Sequence, residues 1–129
     1  MCIPVENGYR IGSYRLRYYP NKICEVWDDG KYLVHTFGDK VSAVLYTIYT
    51  IKQNLTLAHD ILRLDQVINK HYTDIVYFRR CAQAAEKRKE YGVADARMAR
   101  IDLAQRKLQE AQAELARIHR VAKANKVWL

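Results

Sequence analysis

Arginine next to tyrosine is the pairing in this chain that could do chemistry. Tyr9-Arg10, Tyr14-Arg15 and Arg17-Tyr18-Tyr19 place guanidinium groups beside aromatic rings near the N-terminus, and Tyr77-Phe78-Arg79-Arg80 does so again in the middle. Arg97, Arg100 and Arg106-Lys107 follow. A guanidinium grips phosphate oxygens with two parallel N–H donors, and an aromatic face stacks on a base. Together they are the two halves of nucleotide recognition. Charge distribution agrees: residues 1–78 hold nine Lys/Arg against eight Asp/Glu, and residues 79–129 hold thirteen against six. The positive field that attracts phosphates or an acidic protein therefore resides in the second part of the chain.

Other chemistries find little support. His35, His59, His71 and His119 form no HxxxH or ExxH pair, and Cys2, Cys24 and Cys81 are not at zinc spacing. No cysteine lies within a helical turn of a histidine, no GxSxG elbow occurs, and the five glycines make no phosphate loop. The expectation is a chain without enzymatic activity, metal or cofactor. Three scattered cysteines suit a reducing compartment. The first residues lack a basic and apolar leader, and no apolar run reaches the roughly 18 residues that cross a bilayer. A cytoplasmic location is expected, in the host if the source is a phage.

The elements that must position these residues read as an α+β protein. Residues 1–54 suggest a three-stranded antiparallel sheet with a short helix. Strand one covers residues 9–19, where Gly12 marks a bulge or close backbone approach. A turn at Pro20-Asn21, where Pro fixes φ and Asn tolerates a left-handed backbone, leads to a second strand at 23–27, and Asp28-Asp29-Gly30 turns into a third at 31–37. Asp39 caps a helix whose apolar residues are Val41, Val44, Leu45, Ile48 and Ile51.

Residues 55–129 predict a helical hairpin, one cooperative unit with the sheet. Thr56 is the expected N-cap. Ile61, Ile68, Ile75 and Ala82 recur every seven residues, with Leu57, Leu64, His71, Phe78 and Ala85 on the offset. Gly92 suits a left-handed helix end, so the chain is expected to fold back at residues 91–92. The returning seam is Ile101, Ala104, Leu108, Ala111, Leu115, Ile118 and Ala122. Folding there sets Ala82 level with Ile101, Ile75 with Leu108, Ile68 with Leu115 and Ile61 with Ala122. Bulky Phe78 and His71 then meet small Ala104 and Ala111. A second stripe of Leu62, Val67, Tyr72, Val76 and Cys81 exceeds what one seam buries; part is expected on the sheet and short helix and part on another subunit, which predicts a homo-oligomer. Trp128 and Leu129 are expected near Leu55, closing the hairpin base.

These readings place a phosphate-bearing ligand on the hairpin. Arg79, Arg80, Arg97, Arg100 and Arg106 would hold phosphate, and Tyr72 or Tyr77 would stack on a base or ribose. A DNA-binding sheet is the alternative, and a coiled-coil adaptor for an acidic protein is the third class.

Two resemblances add to this. From Tyr14-Arg15 to Tyr49, an Arg/Tyr-rich strand, two further strands, Thr36-Phe37 and a helix with Ala43 and Tyr46 resemble the AP2-type and phage-integrase-arm DNA-binding units. That resemblance implies DNA contacts for Arg10, Arg15, Arg17 and Trp27. The whole layout, a small sheet followed by long helices in a basic chain, resembles phage anti-Thoeris sponge proteins. It implies sequestration of a small cyclic nucleotide signal as a counter-defence activity, and carries no individual residue across.

Overall fold

A computed structural model describes residues 2–5, 7–29 and 31–127, with the side chain of Cys2 excepted. The expectations for Gly30, Trp128 and Leu129 therefore fall outside the described residues. The fold is α+β: five antiparallel strands, then three helices. The chain divides into two compact units, residues 1–65 with 115–129, and residues 66–114.

The first unit holds the sheet, a meander in the order β1 (Cys2–Val5), β2 (Gly8–Ile11), β3 (Tyr14–Tyr18), β4 (Cys24–Asp28) and β5 (Tyr32–Phe37). Five strands replace the expected three, because the segment read as one strand is two, β2 and β3, and residues 2–5, not read as a strand, add β1. Ile11 pairs with Tyr14, leaving Gly12-Ser13 as a two-residue hairpin loop with Gly12 at φ +59°. A positive φ at the first central position alone is the II′ pattern, whose twist matches the flanking strands. Gly12 therefore turns the chain rather than bulging it. An added Cβ there would also sit 3.1 Å from Ile51 Cδ1. Asn7, at φ +60°, lies in another two-residue connection, between Val5 and its partner Gly8. The turn after β3 is found at the expected place, but Lys22, not Asn21, takes the left-handed backbone, while Asn21 Oδ1 accepts from Ile23 N–H at 3.4 Å. Asp29 takes a positive φ of 54° after β4.

Alternation along the strands sends Ile11, Leu16, Cys24, Val26 and Phe37 to one face, where all are buried. Helix α1 (Lys40–Ile51) lies in the same unit, and its residues Ser42 to Tyr49 are all buried. Asp39 caps it as expected, its Oδ1 accepting from Ser42 N–H at 2.7 Å. Burial lifts the Cys24 thiol to about 12, so it is an inert core residue.

Helices α2 (Leu55–Lys87) and α3 (Tyr91–Ala124) each contribute to both units. Asn54, not Thr56, caps α2: Asn54 Oδ1 receives Leu57 N–H at 3.5 Å, and Thr56 lies within the first turn. The heptad stripes are buried in most positions, while Leu57, Ile68, His71 and Phe78 are half-buried. Ile61, Leu64, Ile75, Ala82 and Ala85 of α2 are buried, as are Ile101, Ala104, Leu108, Ala111, Leu115, Ile118 and Ala122 of α3. In the second unit Ile75, Ile101, Ala104 and Leu108 form one apolar cluster, with Ile68 and Phe78 packed on it. Gln112 donates from Nε2 to the Tyr72 hydroxyl at 2.9 Å, which marks the antiparallel register.

The reversal lies at 88–90, not at 91–92. Lys89 N–H bonds Glu86 O at 2.9 Å and Glu90 N–H bonds Ala85 O at 2.8 Å, a Schellman motif with Lys89 left-handed at φ +61°. Gly92 sits inside the first turn of α3. Gln53 and Lys126, at φ 60° and 53°, end α1 and α3 with the same pair of bonds. All three helices therefore stop on a left-handed residue that is not glycine, and the long polar side chains at those positions point to solvent.

Candidate ligand face of the sheet

Strand register decides which of the basic and aromatic residues meet. Residues directly opposite one another share a face of the sheet. The pairs Ile3↔Arg10, Arg10↔Arg15, Arg15↔Trp27 and Trp27↔Leu33 therefore make one row across all five strands. The face opposite the buried one carries this row. Ile3, Arg10, Arg15 and Leu33 are exposed on it, and Trp27 is half-buried between Arg15 and Leu33. Arg17 and Glu25 form the next row on the same face. The four residues Arg10, Arg15, Arg17 and Trp27 are thus gathered on one surface.

The polar contacts of this face are unevenly placed. Glu25 Oε1 accepts from the Tyr19 hydroxyl at 2.5 Å and from Trp27 Nε1–H at 3.3 Å. That hydrogen bond to Glu25 raises the Tyr19 phenol above its ordinary value. Arg17 lies over the Tyr19 ring, 5.5 Å from its centroid. Arg10 and Arg15 have no ion pair among the described residues. They line a depression of about 350 Å³ with Val5, Ser13, Tyr14 and Asp29. Two like charges directly opposed on neighbouring strands destabilise a sheet. A phosphate between them would relieve that repulsion with charge-assisted hydrogen bonds. A register irregularity between Val26 and Trp27 leaves Val34 of β5 without a partner on β4. Such bulges re-aim nearby side chains, and they are frequent beside binding sites.

The hairpin residues are distributed differently. Consecutive helical residues diverge by about 100°, so Tyr77, Phe78, Arg79 and Arg80 cannot share a face. Tyr72, Tyr77 and Arg80 line one shallow depression of about 440 Å³, with Thr73 and Val76. Arg97 and Arg100 line another of about 300 Å³, with Gly92, Val93 and Ala96. Both guanidiniums lie over Phe78, at 5.9 and 5.7 Å from its centroid. Arg79 and Arg106 are exposed and line neither depression. The expected single cluster of seven is therefore two smaller groups and two separate arginines.

Two histidine contacts in the first unit escaped the sequence reading, because each joins residues far apart in the chain. His35 Nε2 donates to Asp65 Oδ2 at 2.7 Å, and Asp65 Oδ1 accepts from Gly38 N–H at 3.0 Å. Ser42 Oγ donates to Asp39 Oδ2 at 2.7 Å and lies 3.0 Å from His119 Nε2. With its hydroxyl proton given to Asp39, Ser42 accepts from a neutral His119 protonated at Nε2. Burial lowers the His119 pKa below its ordinary value, and Asp39 opposes this more weakly. The serine–histidine contact does not make a nucleophile: Ser42 is fully buried and its proton points away from the base. Both contacts are anchors. His35 ties β5 to α2, and Ser42 ties α1 to α3.

Among the described residues no group of three or more His, Cys, Asp or Glu gathers as a metal site, and no helix is long and apolar enough to cross a membrane. The chain matches no family model, no curated protein and no solved structure.

Proposed function

We propose that this chain is a non-enzymatic, cytoplasmic binder of nucleic acid that takes its ligand on the open face of the sheet. One observation carries the reading: the cross-strand row that sets Arg10 against Arg15 and Arg15 against Trp27, with neither arginine ion-paired among the described residues. The row supplies phosphate donors and a stacking surface side by side. It also supplies a reason for an anion to bind, since the opposed guanidiniums repel until something negative separates them.

The hairpin supports a second reading, a homo-oligomeric sponge for a small cyclic nucleotide. Arg97 and Arg100 flank one aromatic ring beside an apolar hollow. Tyr72, Val76 and Tyr77 are each at least half-exposed and would suit a contact between copies. An open hollow of this kind needs a second surface to enclose a small ligand.

Fluorescence anisotropy with a labelled 20-nucleotide oligomer, titrated between 50 and 300 mM salt, separates the two. The sheet reading expects the slope of log K against log salt to fall by about 1.4 to 1.8 in the Arg10→Ala/Arg15→Ala double variant, at about 0.7 to 0.9 per phosphate contact. The Arg97→Ala/Arg100→Ala variant should keep the original slope. No binding at 50 mM salt removes the sheet reading. Thermal stabilisation by cyclic mono- or dinucleotides that Arg97→Ala/Arg100→Ala abolishes would favour the sponge.

A further inference from the structure

The indole of Trp27 faces a restricted choice of partners. Its Nε1–H is committed to Glu25 Oε1 at 3.3 Å. The group therefore has no free donor for a base edge or a phosphate, since the indole nitrogen is the only one it owns. What remains for a ligand is the indole ring, which is partly exposed between Arg15 on β3 and exposed Leu33 on β5, next to the irregularity at Val26/Trp27.

The charges on either side of the ring give the binding mode a direction. The Glu25 carboxylate lies two residues from Trp27 on the same face with Arg17 directly opposite it, so the charges offset on that side and offer a phosphate little net attraction. Arg15 and Arg10 are the next residues along the row, at steps of about 4.8 Å, and attract it. A base on Trp27 with its phosphate on Arg15 and Arg10 satisfies both. In a duplex each base has neighbours stacked above and below, so an aromatic ring gains a face only where the base is unpaired and splayed. We infer that the open face of the sheet selects single-stranded nucleic acid, one base stacking on Trp27 while Arg15 and Arg10 hold the adjoining phosphates. This rests on the sheet reading of the previous subsection and adds strand form to it.

The test uses the full chain with 20-nucleotide oligo(dT), oligo(U) and a mixed-sequence DNA duplex of equal length, at one salt concentration. Single strands of either sugar should bind at least about tenfold tighter than the duplex. Trp27→Ala should lose about 10- to 100-fold on single strands, the range of one lost base stack, and change duplex binding less than about twofold. Trp27→Phe keeps a ring in place and should retain most of the single-strand preference, which guards against a folding defect in the alanine variant. A Trp128→Phe background leaves Trp27 as the sole tryptophan, and its emission should be quenched on adding oligo(dT). Duplex binding as tight as single-strand binding overturns the inference while leaving nucleic-acid binding standing. Equal losses on both forms in Trp27→Ala, or unquenched emission, overturn it too. Failure of all three oligomers to bind removes the sheet reading itself.

Discussion

The sheet and the hairpin carry similar residues and arrange them in opposite ways. Arg10, Arg15 and Trp27 are scattered over 18 positions of sequence, yet the strand register sets them in one row. Tyr77, Phe78, Arg79 and Arg80 are adjacent in sequence, yet the helix turns them to different sides. Phe78 joins the seam and receives Arg97 and Arg100, while Tyr77 and Arg80 line a separate hollow. A run of functional residue types is a good guide to a site only when the local backbone keeps the run together. The units also differ in how they are held. The sheet unit joins its helices through buried polar anchors, Asp65 and Ser42. The hairpin unit relies on an apolar seam and a turn.

Three measurements on stability sharpen this contrast. The largest effect is expected at Asp65, which is 2% exposed. Asp65→Ala leaves His35 and the Gly38 N–H without their acceptor and should cost about 3 kcal/mol, read by urea unfolding. Asp65→Asn keeps an acceptor for Gly38 and should lose less. A cost under about 1 kcal/mol for Asp65→Ala would mean that the buried Asp65 anchor adds little to the apolar packing of the sheet unit.

The next effect is a pH dependence specific to the sheet unit. The folded-state pKa of His119 lies below the unfolded value of 6.5, so the unfolded chain binds the proton more readily. Stability contributed by neutral His119 is present above about pH 6.5 and is lost as pH falls through the folded-state value. Thermal melts across that window should show a steeper decline for the parent chain than for His119→Gln. Identical slopes would place His119 outside the linkage.

The smallest effect is at the hairpin turn, where the glycine is three positions from where the left-handed backbone occurs. Lys89→Gly relieves a positive φ and should stabilise by about 1 kcal/mol. Gly92→Ala places a methyl in open space within the first turn of α3 and should add about 0.5 kcal/mol. A destabilised Lys89→Gly variant would show that the lysine side chain makes up for its backbone strain.

The sequence by itself determined the class of fold and most of the buried stripe along the hairpin. Seven-residue spacing is a property of one dimension, and it needs only a helix to become a buried stripe; Ile75, Leu108 and Ile101 meet for that reason. Asp39 was legible as a cap because its acceptor and the Ser42 N–H are three residues apart. Local signals failed where two residues competed for one role. Gly92 looked like the helix end, but Lys89 took it; Asn21 looked like the left-handed residue, but Lys22 took it. Tertiary structure alone decided that Arg10 opposes Arg15, that Trp27 stands beside them with its N–H spent on Glu25, and that His35 and His119 are anchors. Those facts depend on which strand lies against which and in what register. Register is fixed by turn geometry and by burial of the opposite face, Ile11, Leu16, Val26 and Phe37, and not by the polar residues it brings together.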